Sequence, residues 1–397
     1  MSQSFPKSVS DLSVSVVAPD LAGGGTTRVY LVANALQKLG CEVTVVGAQF
    51  ASQLYPVPPN NLSVVPIPAE RSLKYAAALK QLLSKLNTDL IYAIKPRPTS
   101  FGTALLKQLT RPRPVLLDID DWEMSWHQQR YRPDVKQLLR DVIKPKGALR
   151  DPEHPVYLEW MESLVSRADA ITASTRFLQE KFGGHYLPNS KDAELFDPKD
   201  YDPVVSREKY GLSDFRVLMF PGTARPHKGL EDVLMALDQL DQADFRLVIV
   251  GGRKPDGYED DLMKRWGRWL IKLPRFPMAQ MAEVVSAAHV VVVPQRDYET
   301  ARAQFPLKLT DGMAMAKPIL STTVGDIPEI LTDCAYLASP ESPNQLANQL
   351  SAIFQDWETA IQKGAIARER CIGHYSLNAM AHRLQSLFIE KGYVEPP

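Results

Sequence analysis

The stretch VLMFPGTARPHKGLEDVLMAL, residues 217–237, holds a strand, a loop and a helix in succession. Its first four residues are apolar and consecutive, which is typical of a strand buried on both faces of a parallel sheet. Its last residues place Leu230, Val233, Leu234 and Leu237 on one face of a helix. Between them lies a turn rich in glycine, proline and basic residues. The stretch therefore predicts an α/β fold with a basic loop at the carboxyl end of a strand.

The same alternation of short apolar runs and helix-period segments recurs along the chain in two series. A turn-rich segment at residues 187–203 separates the series and is typical of a linker. We therefore predict two Rossmann-like doubly wound domains that face each other across a cleft, residues 1–198 and 199–375. A C-terminal helix, residues 376–397, is predicted to pack back toward the N-terminal domain. The predicted strands are Leu12–Ala18, Glu42–Gly47, Leu62–Ile67, Asp89–Ile94, Val115–Ile119, Ala170–Ala173, Val217–Phe220, Arg246–Val250, Val290–Val293, Ile319–Ser321 and Ala335–Leu337.

The composition of the 397-residue chain excludes several classes of protein. Apolar residues make up 45% and charged residues 23%, which is typical of a soluble globular protein. The 46 basic and 46 acidic residues give no net charge, which argues against a nucleic-acid-binding protein. Three widely spaced cysteines predict a reducing compartment rather than disulfides. The polar start and the lack of a long apolar run predict a cytoplasmic protein without a signal peptide or a membrane-spanning helix.

A glycine-rich loop follows the first predicted strand. Gly23, Gly24 and Gly25 would let the backbone approach a ligand, and the helix that begins near Thr26 would offer its N-terminus to an anion. A dinucleotide fingerprint would need glycine at position 28, where this chain has Arg28. We therefore expect a ligand-binding loop rather than a dehydrogenase, with a loop that binds nothing as the alternative.

Two segments of the second series predict a diphosphate site. In the loop after residue 220, Gly222 allows close approach, and Arg225 and Lys228 place two cations near the end of the strand. A pair of solvated loop charges is the alternative.

The other segment is AQFPLKLTDGMA, residues 303–314. Pro306 suits the first turn of a helix, so the free amides of Leu307 and Lys308 would form an anion site. Asp311 lies about one turn further on and would accept hydrogen bonds from a ribose diol. A helix surface with an ordinary acidic residue is the alternative.

Together these segments resemble the family 4 glycosyltransferases, which are retaining enzymes of the GT-B fold. GTARPHKGLEDVLMAL (residues 222–237) is similar to the family's phosphate-clamp segment, whose diphosphate-binding Arg and Lys match Arg225 and Lys228. LPNSKDAELFDP (187–198) is similar to the family's interdomain stretch, usually Pro-Asn-Gly-Val-Asp ending in Phe-x-Pro. The resemblance covers nearly the whole chain. Further similar segments are ADAITASTRFLQEKF (168–182) and the donor-site segment FPLKLTDGMAMAKPILSTTVGDIPEIL (305–331).

The chain departs from the family pattern within the donor segment. The family usually carries two glutamates eight positions apart; Asp311 matches the second, and Ala303, which has no group for a sugar hydroxyl, stands at the first. Branches with a Pro-x-Lys-Leu segment resemble this chain better and also lack the first glutamate. Ala316 and Asp326 replace two glycines of the family. Candidates to take over from the missing glutamate are Glu299, Arg302 and Gln304.

A predicted strand that ends in the carboxylates Asp118, Asp120 and Asp121 is the candidate acceptor-side site. Many relatives have His-Asp where this chain has Asp120-Asp121, and we expect one of these two to contact the sugar or the acceptor. One alternative is a divalent-metal site formed by the Asp-x-Asp pair, and another is a solvated loop. The segment also resembles haloacid-dehalogenase phosphatases, with Asp118 as nucleophile and Asp120 as acid/base.

Residues 128–150 form a basic segment with interleaved apolar side chains. One prediction for it is peripheral contact with an anionic membrane at the inner face. The other is a solvated helix docked on its own domain. Trp266 and Trp269, which also stand among basic residues, are predicted to be core residues because the second domain needs a helix and a strand there.

The resemblance implies a retaining, hexosyltransferase-type enzyme. Its nucleotide-diphospho-sugar donor would bind the C-terminal domain, and a glycan, lipid or small-molecule acceptor would bind the N-terminal domain, with a lipid-linked or surface-glycan precursor as one class. Attack from the leaving-group face without a protein nucleophile is implied, with no cofactor and no required metal. The alternatives are a nucleotide-sugar epimerase or hydrolase of the same fold and a non-catalytic nucleotide-sugar-binding subunit.

Overall fold

The structure is a computed structural model, and it describes residues 8–23, 25–126, 134–143, 151–252 and 255–396. The chain packs into two compact units. The first contains the residues up to Pro188 together with those from Met380 onward, and the second runs from Asn189 to Ala379. The chain thus passes from the first unit to the second after Pro188 and returns to the first after Ala379.

The first unit is built on a parallel sheet. Its helices are α1 (Thr26–Lys38), α2 (Tyr75–Lys85), α3 (Thr103–Thr110), α4 (Val135–Ile143), α5 (Pro155–Ser163) and α6 (Arg176–Phe182). Its strands are β1 (Ser13–Ala18), β2 (Glu42–Gln49), β3 (Ser63–Pro68), β4 (Leu90–Ile94), β5 (Val115–Ile119), β6 (Ala170–Ala173) and β7 (His185–Tyr186). Among the described residues these seven strands pair in the order β3-β2-β1-β4-β5-β6-β7. The order reverses beside β1, which is where ligands bind in sheets of this kind.

The second unit repeats the arrangement. Its helices are α7 (Pro203–Lys209), α8 (Leu230–Leu240), α9 (Tyr258–Trp266), α10 (Met278–Ser286), α11 (Glu299–Arg302), α12 (Leu307–Ala314), α13 (Ile327–Leu331), α14 (Pro343–Gln355) and α15 (Trp357–Tyr375). Its strands are β8 (Arg216–Pro221), β9 (Phe245–Val250), β10 (Leu270–Leu273), β11 (Val290–Val293), β12 (Ile319–Thr322) and β13 (Tyr336–Ala338). In the described part of the unit, these six strands pair in parallel in the order β10-β9-β8-β11-β12-β13, which reverses between β8 and β11.

The last helix, α16 (Leu377–Glu390), explains why the C-terminal residues belong to the first unit. Its apolar side chains, among them Met380, Leu384 and Phe388, are buried in the same core as β1, β2 and α1. This is the stripe that an amphipathic helix presents to a core.

The prediction of two Rossmann-like domains is confirmed by these sheets. Every predicted strand is observed, with ends that differ by at most two residues. Strand β7 was missed because no periodicity can be read from a two-residue run. Strand β10 was expected after Trp269 but was predicted without bounds. Trp266 and Trp269 are core residues, as predicted, with exposures of 6% and 3%.

Ala316 shows why glycine is usual at its position. Its φ is 52°, in the left-handed region, where a side chain is disfavoured and glycine is not. The turn lies between α12 and β12 and packs closely on α15, because a Cβ at Gly364 would lie 2.3 Å from the carbonyl oxygen of Ala316. The chain therefore holds alanine at this turn in a backbone conformation that favours glycine.

Candidate functional site

The loop after β8 lies at the point where the strand order of the second unit reverses. A short 3₁₀ turn, Pro226–Lys228, leads into Gly229, whose φ of 68° is in the left-handed region. A Cβ at Gly229 would lie 1.8 Å from the carbonyl oxygen of Pro294, so only glycine fits against the segment after β11. The amide of Arg296 donates to the carbonyl of His227 at 3.1 Å and ties the same two segments together. The loop is thus held by β11 as well as by its own strand.

A partly buried ion pair supports this loop. Nε and Nη2 of Arg296 donate to the two carboxylate oxygens of Asp232, in the first turn of α8, at 2.9 and 2.8 Å. Glu231 lies 3.0 Å from the same guanidinium. These hydrogen bonds raise the pKa of Arg296, so it remains charged. Two-point pairing of this kind fixes orientation as well as distance.

Lys228 and Arg225 occupy the two ends of the turn. Lys228 is 8% exposed, and its ammonium donates to Oε1 of Gln304 at 3.1 Å. Arg225 is half-buried and has an extended backbone. Gln304 follows α11, so the contact links the β8 loop to the segment that precedes α12.

Lys308 brings a third cation to this loop. It lies in the first turn of α12, with its Nζ 4.9 Å from the ring centroid of Phe220. Its side chain passes close to Gly222, where a Cβ would lie 2.9 Å from Cε of Lys308. Burial lowers the pKa of Lys308 to about 8, against a smaller opposing effect of Asp311, and the charge of Arg225 lowers it further. Within the described residues, the side chain of Lys308 makes no hydrogen bond or ion pair.

The start of α12 differs slightly from the expectation. Pro306 is the N-cap residue rather than part of the first turn. The amide of Leu309 donates to the carbonyl of Pro306 at 2.8 Å. Leu307 and Lys308 supply the amides at the very start of the helix, where N–H groups lack a partner within the helix. Asp311, on the next turn, forms an ion pair with Lys191, which the sequence placed in a linker.

The three candidates to take over from the missing glutamate have different surroundings in the structure. Ala303 itself is fully buried. Arg302 is paired with Asp297 at 2.6 Å, and Glu299 opens α11. Gln304 is the candidate that contacts the loop cations, through Lys228.

In the first unit, the glycine-rich loop lies beside the corresponding reversal of strand order. Gly24 lies outside the described residues. The hydroxyl of Thr26 donates to the carbonyls of Asp20 and Gly23, both at 2.7 Å, and closes the loop on itself. A Cβ at Gly25 would lie 3.2 Å from Cε of Lys95, so this glycine leaves room for a buried lysine.

Arg28, which the sequence marked only as a break in a fingerprint, forms a buried ion pair. Its Nε and Nη2 donate to the two carboxylate oxygens of Asp118 at 2.9 and 2.7 Å, and the residues are 2% and 0% exposed. The guanidinium also donates to the carbonyls of Leu187 and Pro188. Thr172 donates its hydroxyl proton to Asp118 at 2.7 Å. Both oxygens of Asp118 accept hydrogen bonds and neither is exposed, so a substrate cannot reach them. Asp118 therefore has a structural role, which argues against the phosphatase nucleophile.

Asp120 and Asp121 lie in a network centred on Lys95. The ammonium of Lys95 lies 2.7 Å from Glu123, 3.3 Å from Asp120 and 4.0 Å from Asp121. Burial raises the pKa of Asp120, an effect that the charge of Lys95 opposes. Arg97 extends the network by pairing with Glu123 at 2.5 Å.

Sequence reasoning missed Lys95, although a signal was available. Lys95 directly follows the buried strand β4, which lies next to β1 at the reversal of strand order. Its φ is 69°, a left-handed conformation that is rare for a residue with a side chain. Such strain often accompanies a functional site. The signal in the sequence was the position of Lys95, because a cation immediately after a strand at the switch point is a candidate for a ligand site.

The described residues were expected to contain neither a required metal site nor a membrane-spanning helix. Among the described residues, no group of three or more His, Cys, Asp and Glu side chains is placed to hold a metal ion. No helix in the described part of the chain is long and apolar enough to cross a membrane. Of the basic segment 128–150, only residues 134–143 are described; they contain the whole of α4, on which Val135 and Leu139 are exposed.

The two units match two families of known proteins. Residues 23–192 match the family described as "Glycosyl transferase 4-like domain", and residues 215–356 match "Glycosyl transferases group 1". The N-acetyl-alpha-D-glucosaminyl L-malate synthase of Bacillus anthracis is 20% identical over 94% of this chain and 95% of that protein. The MMP alpha-(1->4)-mannosyltransferase of Mycolicibacterium hassiacum is 24% identical over 56% of this chain. The chain spans about half the length of the latter protein and of several other curated relatives.

Solved structures show the same fold. The sucrose-phosphate synthase of Thermosynechococcus elongatus superposes with a TM-score of 0.74 at 18% identity, over 96% of this chain and 99% of that one. Anabaena HepE in complex with UDP-glucose superposes with a TM-score of 0.73 at 16% identity, over 96% and 100%. At these identities the likeness is one of fold.

Proposed function

Because the chain belongs to the family 4 glycosyltransferases of the GT-B fold, we propose that it transfers a sugar from a nucleotide-diphospho-sugar to an acceptor hydroxyl. One observation carries the proposal: the switch point of the second unit brings together Arg225, Lys228, Lys308 and the first amides of α12. Cations and free amides at the carboxyl ends of parallel strands suit a diphosphate. HepE, which shares the fold, is described in complex with UDP-glucose.

The proposed chemistry is electrostatic. When the sugar leaves, negative charge grows on the diphosphate oxygen that carried it. Arg225, Lys228 and Lys308 would stabilise this charge, because positioned cations in a partly desolvated site act strongly on a transition state. Asp311 would accept hydrogen bonds from the ribose, and the close approach allowed by Gly222 would admit the diphosphate. In keeping with the family, we propose retention of anomeric configuration, with neither a protein nucleophile nor a required metal or cofactor.

The first unit would supply the acceptor side. Gly25 and the loop around it, together with Asp120 and Asp121, lie at the switch point of its sheet, where a ligand is expected. Lys95 holds the two carboxylates in place and balances part of their charge. The acceptor would be a glycan, lipid or small molecule with a free hydroxyl. Peripheral membrane contact through residues 128–150 stays a prediction.

A thermal-shift panel of UDP-, GDP- and ADP-sugars tests the donor site. A ligand that binds only the folded protein stabilises it by mass action and so raises its melting temperature. At a ligand concentration of 100 Kd the free energy of unfolding rises by about 2.7 kcal/mol. We expect one nucleotide class to give a clear shift. No shift with any of them would contradict a donor site. Full consumption of the stabilising donor without an acceptor would indicate an epimerase or hydrolase, and binding without turnover on any acceptor would indicate a non-catalytic subunit.

The lysine in α12 predicts a pH dependence of donor binding. The pKa of Lys308 in the free protein is lowered to about 8, mainly by burial, so the side chain is neutral above that pH. A bound diphosphate favours the charged form, and binding above pH 8 must therefore take up a proton. Donor affinity is expected to be greatest below pH 8 and to fall above it, by up to about tenfold per pH unit. Calorimetric titration across this range measures the slope.

Two variants separate this effect from other titrations. Lys308→Arg keeps its charge at every pH and is expected to abolish the decline while retaining binding. Lys308→Met is expected to bind weakly at all pH values. A wild-type affinity that stays constant from about pH 7 to pH 9 would show that this ammonium does not face the diphosphate.

A further inference from the structure

Two departures from the family pattern meet in the second unit. Lys191 stands where the family's interdomain stretch usually has valine, and Asp311 stands where the donor segment usually has glutamate. The ammonium of Lys191 forms an ion pair with Oδ1 of Asp311. Each residue is 7% exposed. A carboxylate that is shorter by one methylene is thus met by a cation that the family pattern lacks.

The backbone fixes where Lys191 stands. Its amide donates to the carbonyl of Tyr375 at 2.8 Å, and its carbonyl accepts from the amide of Leu377 at 3.1 Å. These bonds pin the residue to the junction of α15 and α16. The ammonium also lies 4.1 Å from the ring centroid of Phe196, a favourable cation–π distance. Lys191 therefore approaches Asp311 from a rigid support rather than from a free loop.

The ion pair between Lys191 and Asp311 suits a carboxylate that accepts hydrogen bonds from neutral hydroxyl groups. A buried anion without a cation partner is strongly unfavourable, whereas a paired one remains available as an acceptor. The pairing involves Oδ1 of Asp311, and a carboxylate has further lone pairs on both oxygens. Hydrogen bonds to an ionised acceptor are about twice as strong as those to a neutral one.

We propose that Lys191 is a positioning residue that holds Asp311 in the orientation in which its carboxylate accepts hydrogen bonds from the ribose diol of the donor nucleotide. The inference rests on the proposed donor site and deepens it. It assigns recognition of the ribose to a pair of residues that come from distant parts of the sequence. Asp311 is one methylene shorter than the usual glutamate, and Lys191 compensates by fixing the orientation of its carboxylate.

Discrimination between ribose and deoxyribose is the readout that a merely structural lysine would not change. The affinities of UDP, GDP and ADP and of their 2′-deoxy and 3′-deoxy analogues are measured separately. The ratio of the affinity for each ribonucleotide to that for its deoxy analogue is then compared between variants. Lys191→Val is expected to reduce the ratio about tenfold, the value of one charge-assisted hydrogen bond. Lys191→Arg is expected to preserve most of it. Lys199→Val, at an exposed lysine of the same unit, is the matched control and should leave the ratio unchanged.

The double variant makes the test independent of simple destabilisation. Lys191→Val combined with Asp311→Glu recreates the pair of residues usual in the family, and we expect it to recover most of the discrimination lost in Lys191→Val. The melting temperature of each free variant reports whether it folds. If the double variant discriminates no better than Lys191→Val alone, or if Lys191→Val matches the wild type, the positioning role is overturned.

Asp311→Asn distinguishes failure of this inference from failure of the proposed function. If Asp311→Asn lowers discrimination but Lys191→Val does not, Asp311 binds ribose without help and only the role of Lys191 is wrong. If Asp311→Asn changes nothing, the ribose contact itself is wrong. If none of the three nucleotides binds the wild type, the donor site and this inference fall together.

Discussion

Arg225→Ala is expected to lower kcat/KM for the donor by about 10²–10³-fold, the loss seen when one preorganised charge or donor is removed from a transition state. Lys228→Ala is expected to have an effect of similar size, because its ammonium is buried against Gln304 at the same turn. Both variants are also expected to lose most of the thermal shift given by the donor. Steady-state kinetics with the nucleotide sugar selected by the thermal-shift panel measure the first effect.

The expected losses in kcat/KM arise from the positive charges of the β8 loop, and two control variants test this. Arg225→Lys keeps the charge but lacks the two-point geometry, and we expect it to retain an intermediate rate. Lys264→Ala removes an exposed lysine of the same unit and should leave the kinetics unchanged. The free variants should melt near the wild-type temperature. Turnover of Arg225→Ala within a few-fold of the wild type would show that the leaving diphosphate is stabilised elsewhere.

Part of the site was predictable because local sequence fixes local structure. Strands β5 and β11 were predicted with their observed bounds, since each is a short apolar run between polar turns. The glycine and the two cations of the β8 loop directly follow such a strand. Because ligands bind at the carboxyl ends of parallel strands, their position along the chain was enough to make them candidates.

The charge partners were not predictable, because they depend on contacts between distant segments. Arg28 and Asp118 are 90 positions apart, and no local pattern pairs them. Lys191 looked like part of a polar linker until its backbone was found pinned to the end of α15. Lys95 was not singled out at all, because nothing in the residues around it indicates that its ammonium is buried among carboxylates. In each case the sequence showed a charge, and only the fold showed that it was buried and which charge balanced it.

Asp118→Ala is expected to destabilise the first unit by about 3–5 kcal/mol, because removing one partner of a buried ion pair leaves the other uncompensated. The guanidinium of Arg28 would keep the carbonyls of Leu187 and Pro188, but it would lose both oxygens of its counter-ion. Urea denaturation of the full chain measures the loss. Glu70→Ala is the matched control: it breaks the pair with Lys74, whose side chains are 61% and 75% exposed, and exposed pairs contribute about 0–1 kcal/mol.

The double variant Arg28→Met, Asp118→Leu shows what the pair is for. Replacing a whole buried pair by apolar residues of similar volume is often neutral for stability, so the double variant should be more stable than Asp118→Ala. Activity should nevertheless stay low, because the pair joins α1, which follows the glycine-rich loop, to the end of β5, which precedes Asp120. Recovery of stability without activity would assign the pair to the geometry of the acceptor side. If Asp118→Ala costs no more than Glu70→Ala, the pair does not organise this unit.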